Sequence, residues 1–151
     1  MRHSLAAAAL ALCLAAPAAL AQPATTLTPE RAAGLLEEYV RIWEDDDRIN
    51  AATVARYYGP RVNYYGKRMS RQQVLADKRR YIRAYPRRSY TITPGTARVV
   101  CDAPRNTCVA TGRLVVSLTA ANGRETRRAT RLRLVMSGAG GGQIIEERAS
   151  R

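Results

Sequence analysis

The chain of 151 residues carries 25 Lys and Arg against 12 Asp and Glu, a formal net charge of +13, and a single histidine, His3. Its length suits one domain built around one hydrophobic core. Because His3 lies in a segment that we expect to be removed, we expect no histidine general base, no Ser-His or Cys-His pair and no histidine metal ligand in the mature protein.

The N-terminal segment predicts export. A positively charged start precedes an almost unbroken run of Ala and Leu at 4–20, and Ala19-Leu20-Ala21 fits the pattern that signal peptidase accepts. The run is slightly short for a transmembrane helix and contains Pro17, so stable membrane insertion is not expected. We therefore predict a periplasmic or secreted protein with a cleaved signal peptide at 1–21, a flexible lead at 22–27 and one domain at 28–151.

Two helices are predicted next. Thr28 can cap the first helix, with Pro29 at its first position, and apolar residues recur at helical spacing as far as Trp43. The acidic run at 44–47 would oppose the dipole at a helix C-terminus, so we expect it to be the solvated start of the next helical segment. The second helix is predicted at 50–57.

Gly59-Pro60 is predicted to break that helix, before a short hairpin formed by a strand at 61–65 and a return strand after Gly66. The capping box Ser70-x-x-Gln73 then begins a third helix, and Pro86 ends it.

After the third helix the pattern changes to strands. Asn122-Gly123 is a strong hairpin signal, and Pro94-Gly95 marks a break within the first strand. Helices followed by a run of antiparallel strands predict an α+β domain. The four long strands are predicted at 89–101, 107–119, 125–136 and 143–148.

Cys101 and Cys108 flank the turn in CDAPRNTC, and in an exported protein two such cysteines predict a disulfide across a hairpin. A redox pair would more often have the spacing Cys-x-x-Cys. No zinc-ligand spacing is present, and the chain offers no signature of a cofactor. Asp102 is expected to cap the turn.

The order of elements is helix, helix, short hairpin, helix and four strands. With the helix that carries Tyr39 and Trp43, the link YYGPRVNYYG and the third helix ending in YIRAYPRRSY, it resembles the nuclear transport factor 2-like, or SnoaL-like, superfamily across 28–151. The resemblance implies a cone-shaped roll. Three helices would pack on a curved, mainly antiparallel sheet of about four long strands plus a short hairpin, with a pocket at the wide end. Members of this superfamily include isomerases, dehydratases and epoxide hydrolases, and a homodimer is left open.

Aromatic residues would line that pocket. Strand alternation sends Val62 and Tyr64 to one side and Tyr65 to the other, where Tyr65 would be exposed or at an interface. A tyrosine or tryptophan offers an apolar face and a polar tip to a small molecule, although each could equally be ordinary core. The candidate pocket residues are Tyr39, Trp43, Tyr58, Tyr64 and Tyr81.

A catalytic role has one weak candidate pair, Tyr64 and Asp77. Asp77 shares a helix face with Tyr81, and a buried carboxylate beside a tyrosine could act as a base. The alternative is that Asp77 pairs with Arg79 or Arg80 at the surface. The sequence therefore favours a protein that is not an enzyme, while a cofactor-free isomerase or dehydratase is the first alternative.

Basic residues form three groups: Lys67, Arg68 and Arg71; Lys78, Arg79, Arg80, Arg83, Arg87 and Arg88; and Arg124, Arg127, Arg128, Arg131 and Arg133. In the third strand Arg131 and Arg133 share one face of the sheet. Such a row could dock on an anionic cell-envelope polymer, or it could be an exposed face protected by its charge. Nucleic acid is not an expected partner of an exported protein. The leading hypothesis is an exported binding module with an aromatic pocket for a small molecule or envelope component, and docking on anionic polymer is the second alternative.

Overall fold

The computed structural model describes residues 26–150. The signal peptide predicted at 1–21 and residues 22–25 of the predicted lead lie outside this range. Within it, no helix is long and apolar enough to span a membrane. The elements are α1 Pro29–Ile42, a 3-10 helix Asp46–Arg48, α2 Ala51–Tyr57, β1 Tyr58–Tyr64, β2 Lys67–Ser70, α3 Arg71–Ala84, β3 Arg87–Ile92, β4 Arg98–Asp102, β5 Thr107–Thr119, β6 Glu125–Ser137 and β7 Gln143–Ser150.

The helices begin at the predicted caps. The Thr28 hydroxyl accepts a hydrogen bond from the amide of Arg31 at 3.3 Å. The capping box of α3 is complete: Ser70 Oγ accepts from the Gln73 amide at 3.3 Å, and Gln73 Oε1 accepts from the Ser70 amide at 2.8 Å. Each contact satisfies a backbone donor that the first turn leaves unpaired.

The acidic run after α1 has a wider role than a solvated helix start. The Asp45 carboxylate does cap the 3-10 helix, as predicted. Asp46, however, forms an ion pair with the buried guanidinium of Arg88, and Glu44 Oε1 accepts from the Tyr90 amide at 2.6 Å. The run therefore ties the end of α1 to β3, because β3 presents unpaired donors at this edge of the sheet.

The link between α2 and β1 differs from the prediction. Helix α2 passes directly into β1, so Gly59 and Pro60 lie inside the strand rather than before it. Pairing of β1 with β7 is irregular between Tyr58 and Asn63. Proline has no amide to donate to a ladder, and this irregularity accommodates it.

All seven strands form one sheet in the order β2-β1-β7-β6-β5-β3, with β4 also paired to β5. Every pairing is antiparallel except that of β1 with β7. The predicted short hairpin, β1 and β2, is thus part of the main sheet. Three helices packed on a mainly antiparallel, open and curved sheet confirm the predicted α+β class.

The long strands have one buried and one outer face. On β5, and on β6 from Leu132 onward, the buried side chains alternate with partly or fully exposed ones, as the pleat requires. Cys101 and Cys108 lie directly opposite each other on β4 and β5 and form the predicted disulfide. Asp102 Oδ1 accepts from the Arg105 amide at 3.2 Å, which is the expected turn cap.

Candidate ligand cavity

A cavity of about 670 Å³ lies between α1, α3 and the buried face of the sheet. This volume is in the range of small-molecule sites. Six aromatic side chains line it: Tyr39, Trp43, Tyr64, Tyr65, Tyr81 and Tyr90. Its titratable lining residues also include Asp77, Lys78, Arg128 and Glu147.

A β-bulge places Glu147 inside the cavity. Ile144 pairs with Met136 and faces the core, but the next pair joins Glu146 to Val135. One extra residue in β7 therefore reverses the alternation of the strand. Without the bulge Glu146 would face inward, whereas in the structure Glu147 does so and its side chain is only 1% exposed.

Four residues form a closed hydrogen-bonded cluster at the deep end of the cavity. We call Tyr39, Tyr58, Lys78 and Glu147 the floor cluster. Lys78 Nζ donates to Tyr39 Oη at 3.1 Å and to Glu147 Oε1 at 3.3 Å. The Tyr58 hydroxyl donates to Glu147 Oε2, and the two tyrosine hydroxyls lie 3.1 Å apart. The Tyr39 hydroxyl therefore donates to that of Tyr58, which closes the ring.

The floor cluster compensates a charge that burial would otherwise penalise. Lys78 is 14% exposed, and its ammonium lies 4.5 Å from the centre of the Trp43 ring. The carboxylate of Glu147 and the faces of the surrounding rings both stabilise this cation. Burial, followed by the charge of Glu147, raises the pKa of both Tyr39 and Tyr58 well above the usual value, so both phenols stay protonated.

The candidate catalytic pair is brought together. The Tyr64 hydroxyl donates to Asp77 Oδ2 at 3.2 Å. The other carboxylate oxygen of Asp77 is paired with Arg80, and the side chain is 26% exposed. Asp77 therefore contacts a cavity tyrosine and also forms the expected surface pair with an arginine. Burial is the main cause that raises the pKa of Tyr64, which remains a hydrogen-bond donor.

The outer end of the cavity differs in character. We call Tyr81, Tyr90 and Arg128 the rim. Tyr65 lies between the two ends, since burial and the charge of Glu147 both raise its pKa. Tyr90, Val116 and Arg128 are neighbours across β3, β5 and β6. Burial raises the pKa of Tyr81, and the nearby Arg128 guanidinium opposes that rise. Among residues 26–150, Arg128 has no carboxylate within ion-pair distance, so its charge is uncompensated.

Tyr65 is placed differently from the strand prediction. It is 49% exposed, as predicted, but it also lines the cavity and its ring packs edge-on against Tyr64 at 4.8 Å. The reason is its left-handed backbone, with φ of 50°, in the turn before Gly66. Strand alternation therefore ends at Tyr64.

Arg88 holds Trp43 at the cavity wall. Its Nε donates to the Trp43 carbonyl at 2.6 Å, and the guanidinium also reaches Asp46 and the carbonyls of Tyr85 and Pro86. Trp43 is 4% exposed, and its Nε1 has no hydrogen-bond partner among the described residues. The indole N–H is thus the exception in an otherwise satisfied wall.

Four of the five candidate pocket residues line the cavity, namely Tyr39, Trp43, Tyr64 and Tyr81. Tyr58 is fully buried behind the lining, where its hydroxyl holds Glu147. Sequence reasoning missed Glu147, and it assigned Lys78 and Arg128 to basic surface groups. In the described range, no cluster of His, Cys, Asp or Glu could hold a metal ion.

Known structures of low sequence identity have the same fold. A putative calcium/calmodulin dependent protein kinase II association domain from Xanthomonas campestris is 20% identical, with a TM-score of 0.65 over 86% of this chain and 91% of that one. A nuclear transport factor 2-like superfamily protein from Salmonella enterica is 10% identical, with a TM-score of 0.68 over 81% and 89%. A putative polyketide cyclase from Xanthomonas campestris is 16% identical, with a TM-score of 0.57 over 82% and 91%.

No protein-family model and no curated protein matches the chain. The class is nevertheless defined by the fold. The order of the elements, the sheet topology and these structural matches together give the protein a nuclear transport factor 2-like, SnoaL-like fold, as the sequence resemblance implied.

Proposed function

We propose that this protein is a small-molecule binding module that works outside the cytoplasm. The cavity carries the proposal, because about 670 Å³ of space is lined by six aromatic side chains. Such a lining provides a large apolar contact area together with hydroxyl groups that orient a ligand. Export rests on the signal-peptide pattern at 1–21 and is part of the same proposal.

The floor cluster favours binding over catalysis. Glu147 is 1% exposed and already accepts from Tyr58 and Lys78, so it is closed to a substrate. The phenols of Tyr39 and Tyr58 keep their protons, and their hydroxyls are already engaged with each other and with the charged pair. These groups form a rigid polar base for the cavity rather than an accessible acid–base pair.

Native mass spectrometry with two matched variants tests the proposal. Val116 lines the cavity, whereas Val115, on the same strand, faces the outer side of the sheet. Val116→Phe fills part of the cavity, and Val115→Phe adds the same volume outside it. A removable small-molecule adduct is expected on the wild type and on Val115→Phe, but not on Val116→Phe. Equal occupancy of both variants, or no adduct on any protein, would contradict the proposal.

A cofactor-free isomerase or dehydratase is the second candidate, favoured by the hydrogen bond of 3.2 Å between Tyr64 and Asp77. In this case Asp77 would remove a proton next to a carbonyl, and Tyr64 would donate to the resulting enolate. The test is exchange of the α-protons of 2-tetralone in heavy water, followed by NMR. The wild type should accelerate exchange about 100-fold or more over Asp77→Asn. Equal rates would exclude the enzyme.

The outer sheet face favours a third candidate, docking on an anionic envelope polymer. Arg113 lies directly opposite Arg131, and Arg133 lies opposite Arg148. Like charges in such cross-strand pairs are destabilising. Within the described range, Glu146 forms the ion pairs of Arg133 and Arg148, while Arg113 and Arg131 have no carboxylate partner. This arrangement suits a partner that supplies negative charge.

Salt elution from immobilised poly-glutamate tests this docking surface. The double variant Arg113→Thr with Arg131→Thr should elute at clearly lower salt than the wild type, because exposed ion pairs are screened. Arg87→Thr with Arg124→Thr removes the same charge from exposed positions away from this pair and is the control. Equal elution of the two double variants would show that net charge alone causes the binding.

A further inference from the structure

The cavity contains two carboxylates and two cations, but they are not equally available. Both oxygens of Glu147 are engaged, by Tyr58 and Lys78, and the side chain is almost fully buried. Both oxygens of Asp77 are also engaged, by Tyr64 and Arg80. Every carboxylate oxygen in the described lining therefore already has a donor from the protein.

Hydrogen-bond donors, in contrast, are in surplus. An ammonium group has three N–H donors, and Lys78 uses two of them on Tyr39 and Glu147. Arg128 lines the rim with a guanidinium that carries five N–H donors and has no carboxylate partner among the described residues. An acceptor-rich ligand would satisfy both groups.

We propose that the ligand is an organic acid with a planar apolar body, whose carboxylate binds Arg128 at the rim. This assignment rests on the proposed binding function and adds the chemical class of the ligand. The guanidinium can hold a carboxylate through two parallel hydrogen bonds. The rings of Tyr81 and Tyr90 lie beside this position, and the other aromatic walls enclose the body.

The position of the carboxylate follows from the charges. Lys78 is paired with Glu147, and a second carboxylate at the floor would be repelled by that buried negative charge. Arg128 has no such neighbour, and the net charge of +13 favours the approach of an anion. The floor instead presents the third N–H of Lys78, which suits a neutral carbonyl or hydroxyl oxygen at the far end of the ligand.

Isothermal titration calorimetry with 1-naphthoate and 1-naphthamide tests the proposal. The two probes share one ring system and differ in charge. Arg128→Gln removes the rim cation, and Arg127→Gln removes the same charge from the opposite face of the same strand. Arg128→Lys keeps the charge but loses the two-pronged geometry.

Naphthoate should bind the wild type and Arg127→Gln with affinities within about twofold of each other, and Arg128→Gln at least about tenfold more weakly, with Arg128→Lys between them. Naphthamide should bind the wild type more weakly than naphthoate and should not respond to Arg128→Gln. Equal binding of the two probes, or equal loss in the Arg127 and Arg128 variants, would overturn the acid assignment while leaving a binding cavity. Binding of neither probe would count against the cavity function itself.

Discussion

The two ends of the cavity use the same residue types in opposite ways. At the floor cluster, Lys78 and Glu147 compensate each other, and the hydroxyls of Tyr39 and Tyr58 complete a closed ring of hydrogen bonds. At the rim, Arg128 stands beside tyrosines without a carboxylate partner in the described range. The floor compensates its own charges and keeps only one N–H of Lys78 for a neutral ligand oxygen, whereas the rim has an uncompensated cation.

This difference separates polar groups that stabilise the fold from polar groups that are available to a ligand. A buried ion pair and its hydrogen bonds are costly to interrupt, so they hold α1, α3 and β7 in one arrangement. A cation without a carboxylate partner at the open end destabilises the fold little, because water solvates it. It can exchange that water for a ligand. Polar residues in a cavity therefore indicate ligand chemistry only after their internal partners have been counted.

The largest effect is expected from Lys78→Met. The substitution leaves Glu147 buried without its cation, and the free energy of unfolding should fall by about 3–5 kcal/mol. Guanidinium denaturation measures the loss. Lys67, the other lysine of the chain, is exposed on β2, so Lys67→Met should cost about 0.5 kcal/mol or less. Adding Glu147→Gln to Lys78→Met should recover more than half of the loss. Equal stability of the two lysine variants would contradict a structural floor.

The hydroxyls of Tyr58 and Tyr64 give the next effect. Tyr58 is fully buried and donates to the buried carboxylate of Glu147, so Tyr58→Phe should cost about 1.5–3 kcal/mol. Tyr64 donates to the partly exposed Asp77, which also has Arg80, and Tyr64→Phe should cost about 1 kcal/mol or less. Urea denaturation of both variants compares the sites. A larger loss for Tyr64→Phe would mean that the floor and the wall have been assigned in the wrong order.

Alkaline pH should weaken the contribution of the floor to stability. The folded-state pKa values of Tyr39 and Tyr58 lie well above 10, while the unfolded chain loses these protons near pH 10. Their stabilising contribution is therefore full below pH 10 and decreases above it, by about 1.4 kcal/mol per pH unit for each phenol. Burial raises the pKa of Tyr57 to about 12, so its contribution should stop changing near pH 12.

Denaturation measured from pH 8 to pH 11.5 tests this dependence. Above pH 10, Tyr58→Phe should decrease the slope of unfolding free energy against pH by the contribution of one phenol, about 1.4 kcal/mol per pH unit. An unchanged slope would show that Tyr58 ionises as readily in the folded protein as in the unfolded chain.

Most of the fold could be predicted because its signals are local. The Thr28 and Ser70 caps fix where α1 and α3 begin, and Asn122-Gly123 fixes the turn between β5 and β6. The parallel contact between β1 and β7 could not be predicted from such signals, since it joins residues more than 80 positions apart. Neither β1 nor β7 carries a sequence pattern that identifies the strand with which it pairs.

The site was only partly predictable. Helical spacing and strand alternation place Tyr39, Trp43 and Tyr64 on the cavity side. Glu147 was missed because one bulge in β7 reverses its alternation, and a bulge of this kind has no marker in the residues Ile144 to Glu147. Lys78 stands in a run of basic residues, and only the packing of α3 against the sheet distinguishes it from its neighbours.

The smallest effect is expected at Trp43 Nε1, a buried donor of the cavity wall that has no hydrogen-bond partner among residues 26–150. Trp43→Phe removes apolar contact area, but it also removes an N–H that costs about 1–3 kcal/mol to bury without a partner. The two contributions nearly cancel, so the free energy of unfolding should change by about 1 kcal/mol or less, as measured by guanidinium denaturation. Tyr39→Phe is the contrasting variant, because it keeps the ring volume and removes a satisfied hydroxyl. A loss above about 2 kcal/mol for Trp43→Phe would mean that the indole N–H has a hydrogen-bond partner in solution and is not an unsatisfied donor.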